Sequence, residues 1–117
     1  MKGYDLEKSL RIVSDLAAFC GANGADKYEI TLDHEDAAVY KINVNAFMPP
    51  LAPEVMKKFS EQLNLPRQRD LEQDFWELTG ESEMTCEISL DGMMIDSAEV
   101  EYAEGALRIH ALRYVNP

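Results

Sequence analysis

Residues 98–111, AEVEYAEGALRIHA, alternate apolar and polar side chains on either side of Glu104-Gly105. Strict alternation is the pattern of a half-buried β-strand, and a two-residue loop that ends in Gly is typical of a tight hairpin. Such a turn pairs apolar residues on one face: Tyr102 with Leu107, Val100 with Ile109 and Ala98 with Ala111. On the other face it pairs acids with bases: Glu101 with Arg108 and Glu99 with His110. Both faces therefore favour the same register.

A further strand is predicted just upstream, over 84–90, which makes the last third of the chain a three-stranded meander. Its register against 96–103 stays open, because two pairings opposite Ala98 fit the alternation equally well. One pairing puts Glu87 opposite Glu99, in a row that continues to His110. The other pairing moves Glu87 away from Glu99, and the row is lost.

The N-terminal segment predicts an amphipathic helix over 5–20, with Asp5 as its N-cap. Gly21 and Gly24 can adopt the left-handed backbone conformation that ends a helix. Helical spacing places one group of apolar residues on a single stripe, which we expect to face the core. The stripe consists of Leu6, Leu10, Val13, Ala17 and Cys20, widened by Ile12, Leu16 and Phe19.

From Tyr28 the apolar period changes to two, which predicts a second hairpin through 28–45. A loop at His34-Glu35-Asp36 pairs apolar residues on one face and an acid with a base on the other. The predicted pairs are Leu32 with Ala38, Ile30 with Tyr40, Tyr28 with Ile42, and Glu29 with Lys41.

Two more helices follow, one that begins at Pro53 and one over 67–78. The element order α-β-β-α-α-β-β-β predicts one α+β domain over 1–117. In it, helices pack on one face of an antiparallel sheet of about five strands. A weak similarity between 29–33 and 87–91 leaves open whether the chain contains an internal repeat.

Charge is unevenly distributed along the 117 residues. The net charge is −11, yet residues 70–105 alone contain twelve acids and no Lys or Arg. Such a balance disfavours direct binding to nucleic acid or to an anionic membrane, and it favours a basic protein partner. The sequence also lacks an early apolar signal segment and a run long enough to span a membrane, so we expect a cytoplasmic protein.

Motifs that indicate catalysis or a cofactor are absent from the sequence. It contains no Gly-rich phosphate loop, no GxSxG, no HExxH, no CxxC and no calcium-binding loop. Cys20 and Cys86 are too few for a disulfide framework, and their apolar surroundings predict buried free thiols. We therefore expect no cofactor, and the sequence favours a non-enzymatic protein.

Candidate binding residues form two groups. An acidic surface is predicted from Asp70, Asp74, Glu77, Glu87, Glu99, Glu101 and His110. Leu112 and Tyr114 continue the polar face of the last strand with apolar bulk. Either a helix covers that end of the sheet, or the patch binds something, with self-association as the simplest case. The loop His34-Glu35-Asp36 carries metal-binding side chains, although a solvated polar turn explains it as well.

Three hypotheses for function follow from these patterns. The first is an interaction module whose acidic surface docks a basic partner, with mimicry of DNA as a sharper version. The second is a small-ligand or metal-binding protein, or an enzyme, that uses the sheet face around Glu87, Glu99 and His110. The third is an accessory domain that works as a homodimer.

Overall fold

The structure, a computed structural model, describes residues 4–65, 67, 92 and 94–115. Within them the chain is an α+β fold of two helices and a four-stranded antiparallel sheet, so the predicted class is confirmed. The elements are α1 (Asp5–Ala22), β1 (Lys27–Asp33), β2 (Val39–Phe47), α2 (Pro53–Leu63), β3 (Ser97–Ala103) and β4 (Ala106–Tyr114). The helix predicted over 67–78, apart from Arg67, and the strand predicted over 84–90 lie outside the described residues.

The hairpin of β3 and β4 has the register that the sequence predicts. Glu99 pairs with His110 and Glu101 with Arg108, and the apolar pairs on the opposite face are confirmed as well. The φ angles at Glu104-Gly105 are 56° and 80°. A left-handed conformation at both central positions gives the turn a twist that matches the flanking strands.

The two hairpins join through their second strands. The strand order is β1-β2-β4-β3, so β2 and β4 form the centre of the sheet. Across this junction Asn43 pairs with His110 and Asn45 with Arg108. The pairing of β2 with β4 connects segments that are far apart in the chain, and the local pattern does not predict it.

The predicted register of β1 and β2 is wrong, although the two faces are as predicted. Leu32 pairs with Ile42 instead of Ala38. The loop is longer than expected because two Asp side chains form turns within it. Asp33 Oδ1 accepts a hydrogen bond from the N–H of Glu35 at 2.8 Å, and Asp36 Oδ1 accepts one from the N–H of Ala38 at 2.9 Å. The corrected pairs are Tyr28 with Ala46, Ile30 with Val44, Glu29 with Asn45, and Asp33 with Lys41 in place of Glu29 with Lys41.

α1 buries a face that differs from the predicted stripe. Ile12, Leu16 and Cys20 are fully buried in the core, whereas Leu6 and Leu10 are 47% and 50% exposed. The buried arc extends instead toward polar residues, which are Lys8, Ser9 and Asp15. Hydrogen bonds accommodate them in part, because the hydroxyl of Ser9 donates to a backbone carbonyl and Asp15 accepts from a neighbouring Arg. The helix is therefore rotated relative to the prediction.

Both ends of α1 also differ from the prediction. Tyr4, with φ 59°, occupies the N-cap position, and Asp5 is the first helical residue. The side chain of Asp5 accepts a hydrogen bond from Arg113 Nη2 at 2.6 Å instead of capping the helix. Gly21 lies inside the helix, and Gly24, with φ 100°, provides the left-handed residue after its end.

α2 covers the other half of the sheet's apolar face. Pro53 opens the helix as predicted, and Phe59 and Leu63 are buried in the core. The ring of Phe59 stacks on Phe19 of α1 with centroids 3.9 Å apart. This contact places the two helices side by side.

The outer edge of β3 is capped at Ala98 by Asn64, the residue that follows α2. The N–H of Ala98 donates to Asn64 Oδ1 at 3.1 Å, and the C=O of Ala98 accepts from Asn64 Nδ2 at 3.0 Å. Both registers predicted for residues 84–90 require these two backbone groups of Ala98. The strand predicted over 84–90 lies outside the described residues, so its pairing stays a prediction.

Candidate functional site

The face of the sheet opposite the core carries a regular array of polar side chains, which we call the polar face. The core face takes the even positions of β1, β2 and β3 and the odd positions of β4, so the polar face has the remaining positions. Pairing aligns its side chains in rows across the four strands. The two central rows are Thr31, Asn43, His110 and Glu99, and Glu29, Asn45, Arg108 and Glu101.

These two rows line an open groove, which we call the polar groove, with a cavity volume of about 820 Å³. Ser60 of α2 also borders it, beyond the β3 edge. A volume of this size is in the range of sites that bind small molecules or short peptide segments.

The polar groove has an excess of negative charge. Glu29, Glu99 and Glu101 contribute carboxylates, whereas Arg108 is the lining residue with a permanent positive charge. The guanidinium of Arg108 lies 3.0 Å from Glu104 and 4.0 Å from Glu101. Within the described part of the chain Glu99 forms no ion pair, so its carboxylate remains open to a ligand.

Hydrogen bonds orient the side chains on the floor of the groove. His110 Nδ1 bonds to Asn43 Oδ1. Because a carbonyl oxygen only accepts, Nδ1 carries the proton, and in the neutral ring Nε2 keeps its lone pair. Asn45 Nδ2 donates to Glu29 Oε1 at 3.2 Å. The groove thus presents carboxylates and one imidazole nitrogen as acceptors.

The structure brings together part of the predicted acidic surface. Glu99, Glu101 and His110 lie next to each other on the polar face, as predicted. Four other members of that surface, Asp70, Asp74, Glu77 and Glu87, lie outside the described residues. The predicted row through Glu87 consequently stays a prediction.

The loop between β1 and β2 is held by its own side chains. In addition to the two Asp turns, His34 Nδ1 bonds to the carbonyl of Val39 at 2.9 Å, and its ring stacks on Tyr40. Among the described residues no three His, Cys, Asp or Glu side chains are grouped in a way that can hold a metal ion. The hydrogen bonds within the loop fit the interpretation of a solvated polar turn.

Leu112 and Tyr114 lie at the other end of β4, on the polar face. Tyr114 is 46% exposed, and its backbone is fixed by two polar contacts. Its N–H donates to Asp96 Oδ2 at 2.6 Å, and its carbonyl accepts from Arg67 Nη1 at 2.7 Å. The role of Leu112 and Tyr114 in self-association stays a prediction.

Sequence reasoning missed a buried polar cluster at the same end of the core face. The guanidinium of Arg113 is fully buried between Asp5 and the carbonyl of Met94. Burial, together with the negative charges of Asp5 and Glu7, raises the pKa of Tyr40, and Arg113 opposes that shift. The alternation through Leu107, Ile109 and Ala111 marks position 113 as a core position, which is the signal that was available.

Sequence reasoning also missed the half of the groove that comes from β1 and β2. Asn43 and Asn45 carry no charge and match no motif, so they become candidates only when β2 pairs with β4. In the described chain no helix is long and apolar enough to span a membrane. Comparisons with protein-family models, curated proteins and solved structures give no match, so the chemistry of the polar groove is the basis for assigning a function.

Proposed function

We propose that the protein is a non-enzymatic interaction module that docks a basic partner protein in the polar groove. The observation that carries the proposal is the composition of the groove, in which Glu29, Glu99 and Glu101 face a single Arg108. Lysine or arginine side chains of a partner complement such a surface and find acceptors in it. Four further acids belong to the same proposal, on the helix predicted over 67–78 and the strand predicted over 84–90: Asp70, Asp74, Glu77 and Glu87.

Electrostatic docking of this kind accounts for the groove's shape as well as its charge. An open groove across the strands suits an extended segment, whose side chains alternate and reach the rows on the polar face. The cytoplasm, where the two cysteines stay reduced, is the compartment that we propose for it. Direct binding to nucleic acid is disfavoured because like charges repel.

Charge reversal in the groove tests this proposal. We expect affinity capture with Glu99→Lys/Glu101→Lys to lose the basic partners that the wild-type protein retains. The control Glu35→Lys/Glu61→Lys changes the net charge equally at exposed positions outside the groove and should retain them. Capture should also weaken as salt rises, because exposed charge pairs are screened. Equal capture by both variants would refute the proposal.

The cavity volume favours one alternative, a small polar ligand bound in the same groove. His110 Nε2 and Glu99 are its candidate contacts, since both are acceptors on adjacent strands. A ligand of this kind would be recognised by thermal-shift screening of small amines and guanidines. His110→Ala should abolish such a shift without preventing capture of a basic protein, which separates the two functions.

A further inference from the structure

The outer edge of β1 has backbone groups that no described residue satisfies. The N–H of Met48 donates to the carbonyl of Gly105 and continues the ladder between β2 and β4. Hydrogen-bonded pairs alternate along an antiparallel ladder, so even residues of β2 bond to β4 and odd ones to β1. The backbone groups of Tyr28, Ile30 and Leu32 therefore point outward. Such an edge is a template for another strand.

The sequence of β1, Lys27–Asp33, is complementary to itself when two copies run antiparallel about Ile30. The outward-pointing residues then face each other, Tyr28 against Leu32 and Ile30 against Ile30, so their backbone groups can bond. On the polar face Lys27 lies opposite Asp33 of the second copy. Opposite charges directly across a strand pair are stabilising.

Neighbouring registers lack this complementarity. A pairing centred on Glu29 puts that carboxylate opposite itself in the second copy. A pairing centred on Thr31 puts Glu29 opposite Asp33. Like charges directly opposed on a sheet are destabilising, so charge selects the pairing centred on Ile30.

An exposed apolar stripe lies on the same side of the molecule as this open edge. Leu6 and Leu10 of α1 are its exposed members, and the half-buried Val13 and Ala17 continue it along the helix. Gly21 continues the stripe at helical spacing, and a Cβ added there would lie 2.7 Å from Tyr28 Oη of β1. The opposite side of α1 carries Phe19, which stacks on α2. The stripe consequently faces β1.

We propose that two copies of the chain form a symmetric dimer by antiparallel pairing of β1 with β1 about Ile30. The pairing joins two four-stranded sheets into one and keeps both helical layers on the same side. The apolar stripe of each α1 helix then lies beside the two-fold axis and faces the second copy. One interface thereby covers both the open edge and the exposed stripe.

Sedimentation equilibrium tests the association. The wild-type protein at micromolar concentration should have the mass of two chains. Leu10→Glu should raise the dimer dissociation constant roughly tenfold or more, because it places a carboxylate in the apolar stripe that faces the second copy. Val55→Glu, at a comparably exposed site on α2, and Tyr114→Ala, at the alternative surface, should leave the dimer intact. A wild-type monomer, or a dimer that only Tyr114→Ala dissociates, would overturn the proposal.

Oxidative cross-linking tests the register and does not depend on the Leu10→Glu variant folding. Glu29→Cys/Thr31→Cys places thiols directly opposite each other in the proposed pairing, at positions without mutual hydrogen bonds and within disulfide reach. Lys27→Cys/Thr31→Cys keeps the same number of thiols but leaves them without directly opposed partners. We expect covalent dimers to form much faster with the first pair on a non-reducing gel. Equal rates, or faster cross-linking of the second pair, would exclude the register.

Discussion

The two edges of the sheet end differently. At β3, the amide of Asn64 bonds to both outward backbone groups of Ala98, much as a neighbouring strand would. At β1, Tyr28, Ile30 and Leu32 direct their backbone groups outward with no described partner. The β3 edge is therefore capped by the chain itself at Ala98, whereas no outward backbone group of β1 has a described partner.

This difference determines what kind of assembly the sheet can form. If both edges were open, chains would add at each end, and the sheet would grow without limit. With the β3 edge capped at Ala98, each copy can pair only through β1, and both β1 edges are occupied once two copies have joined. The contrast therefore predicts a dimer that does not grow further. The variants below test which side chains determine the structure at each edge.

The largest effect is expected from Asp5→Ala, because it removes the carboxylate beside the buried guanidinium of Arg113. Breaking a buried ion pair by deleting one partner costs about 3–5 kcal/mol of unfolding free energy. This contact fixes the start of α1, and with it the apolar stripe above the open edge. Urea unfolding measures the loss. Glu7→Ala removes the same charge from an exposed position of the same turn, and a similar loss in both variants would contradict the assignment.

Asn64→Ala should have the next largest effect, because it opens the closed edge. The backbone groups of Ala98 lose their partners, at a cost of about 2 kcal/mol. The new edge also allows growth beyond the dimer, which light scattering detects as species larger than two chains. Asn64→Asp keeps the acceptor for the N–H of Ala98 and should give an intermediate loss. A stable Asn64→Ala dimer with unchanged unfolding would show that the amide does not close this edge.

Alkaline pH tests how firmly α1 is seated above the open side. Burial raises the pKa of the Cys20 thiol from 9.0 to about 11. The protonated Cys20 thiol contributes fully to stability below pH 9. This contribution is lost as the pH rises toward 11, because the thiol of the unfolded chain loses its proton at a lower pH than that of the folded chain. The unfolding free energy should fall by about 1 kcal/mol between pH 8 and pH 10. Cys20→Ala should lack this part of the pH dependence, and an identical pH profile would refute it.

The parts of the fold that were predicted correctly are local. The hairpin at Glu104-Gly105 was predicted pair by pair because its turn, apolar face and charge pairs lie within one short segment. The predicted register of the first hairpin was wrong because the side chains of Asp33 and Asp36 form hydrogen bonds that lengthen the loop. A shift by an even number of residues keeps the same side chains on each face, so the alternation does not detect it. The prediction for α1 was wrong because Lys8 is buried, whereas the apolar pattern placed Leu6 and Leu10 on the buried face.

The candidate site shows the same limit. Glu99, Glu101 and His110 were found because their neighbours in the chain place them on one face. The contact between Asn43 and His110 spans 67 positions, and periodicity holds no information about which central strands meet. Two hairpins can join in several orders, and packing of the whole core decides between them. The β1 and β2 half of the groove therefore required the structure.

The smallest effect is expected at the contact between Gly21 and Tyr28, where α1 meets the open edge. Ala at position 21 favours the helix, yet its Cβ would lie 2.7 Å from Tyr28 Oη and 3.9 Å from Cζ. Tyr28→Phe removes only the oxygen, so Gly21→Ala should be better tolerated in that background. We expect a coupling of about 0.5 kcal/mol between the two substitutions in a double-mutant cycle of urea unfolding. Additive effects would mean that the helix does not rest on β1 at this point, and the stripe would then not face the open edge.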